Sequence, residues 1–408
     1  MGFNTDALHK GFVKDPGFGA TITPIYQVSA FSYDNMETLE KVFNGRAGGF
    51  AYTRIGNPTV ASFEQRINAL EHGNGAVATS SGMSAIAQAL LNFLSSGDEI
   101  IVSTGLYGGT IQLFSVLKNL NIKVHYVSDL SPAALDKIYT EKVKALFAET
   151  ISNPGLDVIN IKELADYAHS KNIPLLIDNT TATPFLVNPI DLGCDIVIHS
   201  SSKYINGSAD SISGVIIDGG KFKWDFDKYP ALAGYKVFGN LSYLVRLRKD
   251  SWASFGGCLA PLNAYLNIIG LETLGLRMER ICNNARELAE ALSKIEGISV
   301  NYPLLEGNAN KEIAEKQLRG FGGGILSIRA GSKEKAFKII NSLKTAVVAS
   351  NIGDVRTLVI YPATTLYLHN TKEEMNAAGV YEDTIRVSVG IEDSKDLIED
   401  FINAIKGV

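Results

Sequence analysis

The chain has 408 residues, 46% hydrophobic and 20% charged, with 38 basic against 43 acidic side chains and a formal net charge of -5. A chain of that size buries two sizeable cores. It shows no basic tract for nucleic acid and no apolar run near the roughly 18 residues a bilayer span needs.

The opening "MGFNTDALHKGF" has neither a secretory pattern nor the hydroxyl residue of a myristoylation signal. Cys194, Cys258 and Cys282 lie far apart, as expected for reduced thiols of a cytoplasmic protein. The histidines lack ligand spacing, so no metal site is expected. Residues 1–58, rich in Gly, Pro, Tyr and Thr, read as an extended arm with one helical stretch at Met36 to Phe43. A helix over Ser62 to Leu70 stops at "EHGNG".

Strands and helices then alternate. "GAVATS", "DEIIVST", "KVHYVS", "VKALFAET", "IPLLID", "CDIVIHS" and "GVIID" read as strands. Between them "MSAIAQALLNFL", "TIQLFSVLKNL", "SPAALDKIYT" and "NIKELADYAHSKN" read as helices. Continuous apolar strands between helices predict a mostly parallel sheet covered on both faces. Residues 221–250 form a lysine- and aromatic-rich insertion, and "APLNAYLNIIGLETLGLRMERICNNARELAEALSKI" reads as a long helix kinked near Gly270 or Gly275. Strands "GGGILSIRA", "TLVIYP" and "TIRVSVG", with helices "KEKAFKIINSL" and "SKDLIEDFINAIKG", predict a smaller α/β unit. The expected division is an arm at 1–58, a larger domain at 59–255 and a C-terminal domain at 256–408.

Sites in such sheets lie at the carboxyl ends of the strands. Lys203 falls there, at the end of a dry strand, with Ser200, Ser202 and Ser208 as nearby hydroxyls. "SSGMS" ends one strand and opens a helix, so the Gly82 and Met83 amides suit a phosphate. Neither G-x-x-x-x-G-K-[ST] nor G-x-G-x-x-G occurs, so no nucleotide fingerprint applies. Asp178 ends another strand, and a buried aspartate needs a cation. A phosphate, an amine-reactive aldehyde and a protonated pyridine nitrogen would answer all three, and pyridoxal 5'-phosphate is the common ligand carrying that set.

Seven stretches in order, "YTRIGNPT", "SSGMSAI", "LYGGT", "ETISNPGLDV", "DNTTATP", "HSSSKYINGSAD" and "RVSVGIED", resemble the cysteine/methionine-metabolism family of fold type I pyridoxal-phosphate enzymes. The resemblance spans about Gly17 to Glu392. It implies an α/β fold with a seven-stranded-type sheet domain, a smaller α/β C-terminal domain and an extended N-terminal arm. Lys203 then resembles the lysine that holds the cofactor and moves protons, and Asp178 the partner of the ring nitrogen. Ser200, Ser202, Gly82 and Met83 resemble a phosphate cup, and Tyr107 the ring-stacking tyrosine. Asn153 resembles the partner of the ring hydroxyl, Arg386 the clamp on the substrate carboxylate, and Asn351 a second substrate-binding residue. Tyr52 and Arg54 resemble residues that reach the phosphate of a neighbouring subunit, which implies a homotetramer of dimers with shared sites.

Within the family, Gly109 stands where methionine γ-lyases typically carry a cysteine. The 221–250 insertion and "ASNIGDVRTLVIYPATT" resemble the sulfhydrylase branch. "ATTLYLHN" departs from the usual Thr-His-Gln. The resemblance therefore implies replacement of acetate on O-acetylhomoserine by sulfide, in methionine biosynthesis. Methionine γ-lyase, cystathionine γ-synthase and a non-catalytic binding relative are the alternatives. Gly109 is expected to leave open volume beside Tyr107, and Trp224, Phe226, Tyr229 and Tyr235 are expected to cover the mouth of the site against water.

Overall fold

In the computed structural model, residues 1–15, 17–368 and 370–408 are described. Seven strands form the larger sheet: β1 (Gly75–Thr79), β2 (Glu99–Ser103), β3 (Lys123–Val127), β4 (Val143–Glu149), β5 (Leu175–Asp178), β6 (Ile196–His199) and β7 (Gly214–Asp218). Their order is β1-β7-β6-β5-β4-β2-β3. Only β7 runs against its neighbours, pairing antiparallel with β1 and β6. The strands are buried almost end to end, and side chains of β2, β4, β5 and β6 alternate between two apolar cores, one on each face.

Five short strands follow: β8 (Ser299–Asn301), β9 (Ile325–Arg329), β10 (Val347–Val348), β11 (Leu358–Ile360) and β12 (Thr384–Ser388). They make a second sheet in the order β10-β11-β12-β9-β8. The long helical stretch breaks at Thr273 into Pro261–Glu272 and Leu274–Leu292. The second of these joins both units. Leu274, Met278 and Ile281 belong to a core of the large sheet, while Ala285, Leu288 and Leu292 belong to the core of the small one. Each buried leucine there contributes about 1.5–3 kcal/mol, so the two sheets are fixed against each other.

Two expectations need correction. The arm carries a second helix, Phe3–His9, whose Ala7 is buried and whose Ala7 carbonyl accepts from Arg66 Nη2 at 2.9 Å. With only seven residues and one buried position, it leaves no periodic signal. Trp224, Phe226 and Tyr229 of the insertion pack in a core and do not cover the mouth of the site. Trp224 and Tyr229 are 7% and 0% exposed and pack with Phe93, Phe222 and Tyr243 in the core. The Tyr229 hydroxyl donates toward the carbonyls of Lys144 (3.0 Å) and Asn172 (3.3 Å). Those carbonyls lie at the amino ends of β4 and β5, across the sheet from the carboxyl ends. Phe226 packs partly buried against the same core. Among the described residues no helix is long and apolar enough to cross a membrane.

Candidate active site

One cavity opens over the carboxyl ends of β1, β4, β5 and β6, and the second sheet closes its other side. Gly82, Met83, Tyr107, Asn153, Asp178, Ser200, Ser202, Lys203, Asn351 and Arg386 all line it.

The backbone explains the convergence. The helix Gly82–Leu91 starts directly after β1, with Ser81 as its cap accepting from the Ser84 amide at 3.1 Å. The Gly82 and Met83 amides are among the first N–H groups, which a helix leaves without internal partners. A Cβ on Gly82 would lie 2.5 Å from Ser200 Cβ, so glycine lets this helix start touch the turn after β6. That turn carries Lys203. Arg277, buried beneath it, donates to the carbonyls of Tyr204 (2.6 Å), Ile205 (3.2 Å) and Gly270 (2.7 Å). Gly353, at φ +76°, brings the loop 350–353 onto the same turn, where a Cβ would be 2.4 Å from the Tyr204 nitrogen. This contact places Asn351, whose Oδ1 accepts from Lys203 Nζ at 2.5 Å.

Arg386 arrives by strand alternation. Ile385 and Val387 on β12 face the helix-covered core, so Arg386 faces the other way, into the cavity. It is 2% exposed. Its Nη2 donates to the Asn351 carbonyl at 2.8 Å, its Nη1 reaches Asn153 Oδ1 at 3.5 Å, and its Nε has no partner. Burial lowers its pKa to about 10. Burial, and then the neighbouring Arg386 charge, bring the Lys203 amine down to about 8.

Asp178 Oδ1 accepts from the Thr180 amide (3.0 Å) and hydroxyl (2.5 Å), and Thr180 Oγ1 in turn accepts from the Ser200 amide at 2.8 Å. Burial raises the Asp178 pKa against these donors and the His199 charge. Beside it lies Glu149, raised well above the ordinary range by burial and then by Asp178, with the Tyr107 amide donating to its Oε1 at 2.7 Å.

Other residues fall elsewhere. Tyr52 and Arg54 do not line this cavity of their own chain. The Arg54 guanidinium lies 5.7 Å over the Tyr52 ring and donates to the Ala253 carbonyl. Ser208 is exposed, outside the cavity, because Gly207 at φ +79° turns the chain away after Lys203. The Ser202 hydroxyl is already engaged, donating to the Ser213 carbonyl (3.0 Å) and accepting from its amide (2.8 Å). Gly109 leaves no open volume: a Cβ there would sit 2.6 Å from Tyr107 Cε1, because the tyrosine ring leans across it. Glu149, Thr180, Thr181 and Ile352 also line the cavity without having been singled out in the sequence, and Ser81 and Leu366, of the stretches "SSGMS" and "ATTLYLHN", line it too. Thr180, two residues after Asp178 in "DNTT", had the spacing of a local side-chain acceptor turn. Glu149 could be read only as the polar end of a strand. In "ATTLYLHN", Leu366 faces the cavity, Tyr367 is buried, and His369 lies outside the described residues.

The model of the Cys/Met metabolism PLP-dependent enzymes matches residues 4–406. The chain belongs to this family. It is 40% identical to the homocysteine synthase of Schizosaccharomyces pombe, covering 99% of this chain and 98% of that one. It is 38% identical to the O-acetyl-L-homoserine sulfhydrylase of Leptospira meyeri, covering 99% and 96%. Its fold superposes with a TM-score of 0.94, at 34% identity and full coverage of both chains, on a protein from Campylobacter jejuni. That protein is described as an O-acetylhomoserine (thiol)-lyase and carries a pyridoxyl-lysine monophosphate.

The cavity of this family member suits pyridoxal phosphate on its own chemistry. Two buried carboxylates, Asp178 and Glu149, have no cationic side chain in salt-bridge contact among the described residues, and a protonated ring nitrogen supplies one. Helix amides and Ser200 can take a phosphate. Lys203 has an amine partly neutral near pH 8, as attachment to an aldehyde requires. The unpartnered Arg386 Nε leaves donor capacity for a carboxylate.

Proposed function

We propose that the protein is an O-acetyl-L-homoserine sulfhydrylase that replaces acetate at the γ-carbon with sulfide, giving homocysteine. The observation that carries this reading is the placement of Lys203 between Asp178 and Arg386 in one cavity, within a chain similar to sulfhydrylases over nearly its whole length. Bound pyridoxal phosphate supplies the electron-withdrawing ring that makes the carbon next to the substrate amine acidic.

The side chains do the rest. Arg386, fixed through the Asn351 carbonyl, would bind the substrate carboxylate and so orient the amino acid in the cavity. With the cofactor bound, Lys203 would take the Cα proton and then a Cβ proton, whose electron pair expels acetate from the γ-carbon, and would return protons once sulfide has added there. Its lowered pKa suits it to both steps near neutral pH. Asp178 holds the ring nitrogen protonated. Tyr107 would stack on the ring, Asn153 would meet its hydroxyl, and the Gly82 and Met83 amides with Ser200 and Ser202 would hold the phosphate. Ser202 must turn its proton from Ser213 to do so.

Tyr52 and Arg54 serve the site of a second copy, which makes the working unit a dimer and the assembly a homotetramer. The arm spans 1–58, the cofactor domain 59–255 and the C-terminal domain 256–408. The setting is the cytoplasm, in methionine biosynthesis.

Product analysis tests the reading. O-acetylhomoserine with sulfide should yield homocysteine much faster than O-acetylhomoserine alone yields 2-oxobutanoate, and methionine should release little ammonia. Rapid 2-oxobutanoate from methionine, indifferent to sulfide, would replace this reading with a γ-lyase.

A further inference from the structure

We propose that Tyr367 is a positioning residue, whose phenol ties a strap of the C-terminal unit to the two loops that carry Tyr107 and Asn153. The inference rests on the reading of the cavity as the cofactor and amino-acid site.

Tyr367 is 1% exposed. Its hydroxyl lies 3.2 Å from the Leu106 carbonyl and 3.1 Å from the Asn153 carbonyl. Leu106 immediately precedes Tyr107, and Asn153 contributes its own side chain to the cavity. Among the described residues no other hydrogen bond reaches either carbonyl. A phenol has one proton to donate, so two loops share a single donor from a third segment.

Backbone contacts repeat the pattern on both sides. A Cβ on Gly108 would lie 2.7 Å from the Leu366 carbonyl, and one on Gly379 would lie 2.6 Å from Gly155 Cα. The strap therefore touches the loop after β2 and the loop after β4 together. It also packs apart from the main cores. Tyr367, Ala378 and Val380 form a small cluster of their own, flanked by Ile111, Leu366 and Met375. Little of the global fold depends on that cluster, while the orientation of two cavity residues does. Leu366, next in the chain, lines the cavity, so anything bound beside Arg386 meets the strap directly.

The test is Tyr367→Phe, which keeps the ring and removes the donor. The holoenzyme should melt within a few degrees of wild type. Its KM for O-acetylhomoserine should rise roughly tenfold with a much smaller change in kcat. The visible circular dichroism of its bound pyridoxal phosphate should weaken, because the ring is less firmly oriented. Unchanged KM and dichroism in a folded Tyr367→Phe protein would overturn the tie and leave the reading of the site standing. Absence of any bound-cofactor band in wild type would overturn both. Should the variant fold poorly, hydrogen exchange on the wild-type protein decides. Loading with pyridoxal phosphate should slow the peptides spanning Leu106, Asn153 and Tyr367 together, and slowing of the first two without the third would refute the tie.

Discussion

Glu149 and Asp178 end adjacent parallel strands directly opposite one another, so two carboxyl groups share one buried spot at the floor of the cavity. Both cannot be ionised there without a counter-charge. Asp178 has the Thr180 amide and hydroxyl to stabilise its charge, while Glu149 has only the Tyr107 amide. Asp178 is therefore the better placed of the two to carry negative charge, and Glu149 to keep a proton.

This assignment gives a pH-dependent stability with a definite sign. The folded protein holds a proton on Glu149 that the unfolded chain releases in the ordinary glutamate range, near 4.5. Stability tied to that proton is present below the ordinary value and is lost as pH rises toward the raised one. As pH rises above the ordinary glutamate value of 4.5, the melting temperature of wild type should fall relative to Glu149→Gln, measured at the same cofactor loading. Parallel curves would mean that Glu149 is not held protonated.

Asp178→Asn keeps the shape and the Thr180 contacts but removes the charge. The cofactor should still bind, as read from visible absorbance, while turnover drops by roughly a hundredfold or more. A variant with wild-type rate constants would show that the ring nitrogen needs no anion here.

Lys203 offers a third check. With its pKa lowered to about 8, the neutral amine becomes abundant two to three units below where an ordinary lysine, near 10.5, would supply it. The rate at which apoenzyme captures pyridoxal phosphate should climb with pH and level off above about 8, followed by absorbance after rapid mixing. Lys203→Ala should show no borohydride-fixed adduct and essentially no turnover, with folding intact. A capture rate still rising steeply near pH 10 would mean that burial does not lower this amine.

Much of this site was legible because its residues sit at strand ends and within short motifs. Asp178 and Lys203 each end an apolar run, and Gly82 and Met83 begin a helix where a strand stops. Local sequence shows such features. Glu149 was not legible, and of Tyr367 the sequence showed only that "ATTLYLHN" departs from the family pattern. Glu149 matters because of its register with Asp178, a pairing across strands that no local pattern encodes. Tyr367 matters because a distant loop ends beside Leu106 and Asn153. The aromatic insertion was misplaced for a related reason. Its composition is clear in the sequence, but which end of the strands it packs on is decided by tertiary contacts with Phe93 and the Lys144 and Asn172 carbonyls.

A shared active site predicts complementation. Tyr52 and Arg54 lie outside their own cavity, and Phe18, Met36 and Phe43 of the same arm are exposed at 103%, 71% and 61% in the single chain. Such apolar exposure fits the proposed contact of the arm with a second copy. Arg54→Ala and Lys203→Ala should each be inactive alone. Mixed after subunit exchange, they should regain activity, because some dimers then hold one intact site. Proven exchange without recovery would place Arg54 outside the neighbour's site.

The last prediction follows from where the insertion packs. Trp224 stacks on Tyr243 with ring centroids 5.4 Å apart and planes within 6°, and meets Phe222 and Tyr229 edge-on at 4.8 and 5.1 Å. Truncating a buried tryptophan in such a cluster removes its transfer energy and leaves a cavity that the neighbouring rings cannot fill. Trp224→Ala should lose about 3–5 kcal/mol of stability by denaturant titration. At a temperature where the variant is folded, its KM and its ratio of homocysteine to 2-oxobutanoate should match wild type, since none of the rings that Trp224 packs on among the described residues lines the cavity. A Trp224→Ala protein of wild-type stability that leaks 2-oxobutanoate would return the insertion to the mouth of the site.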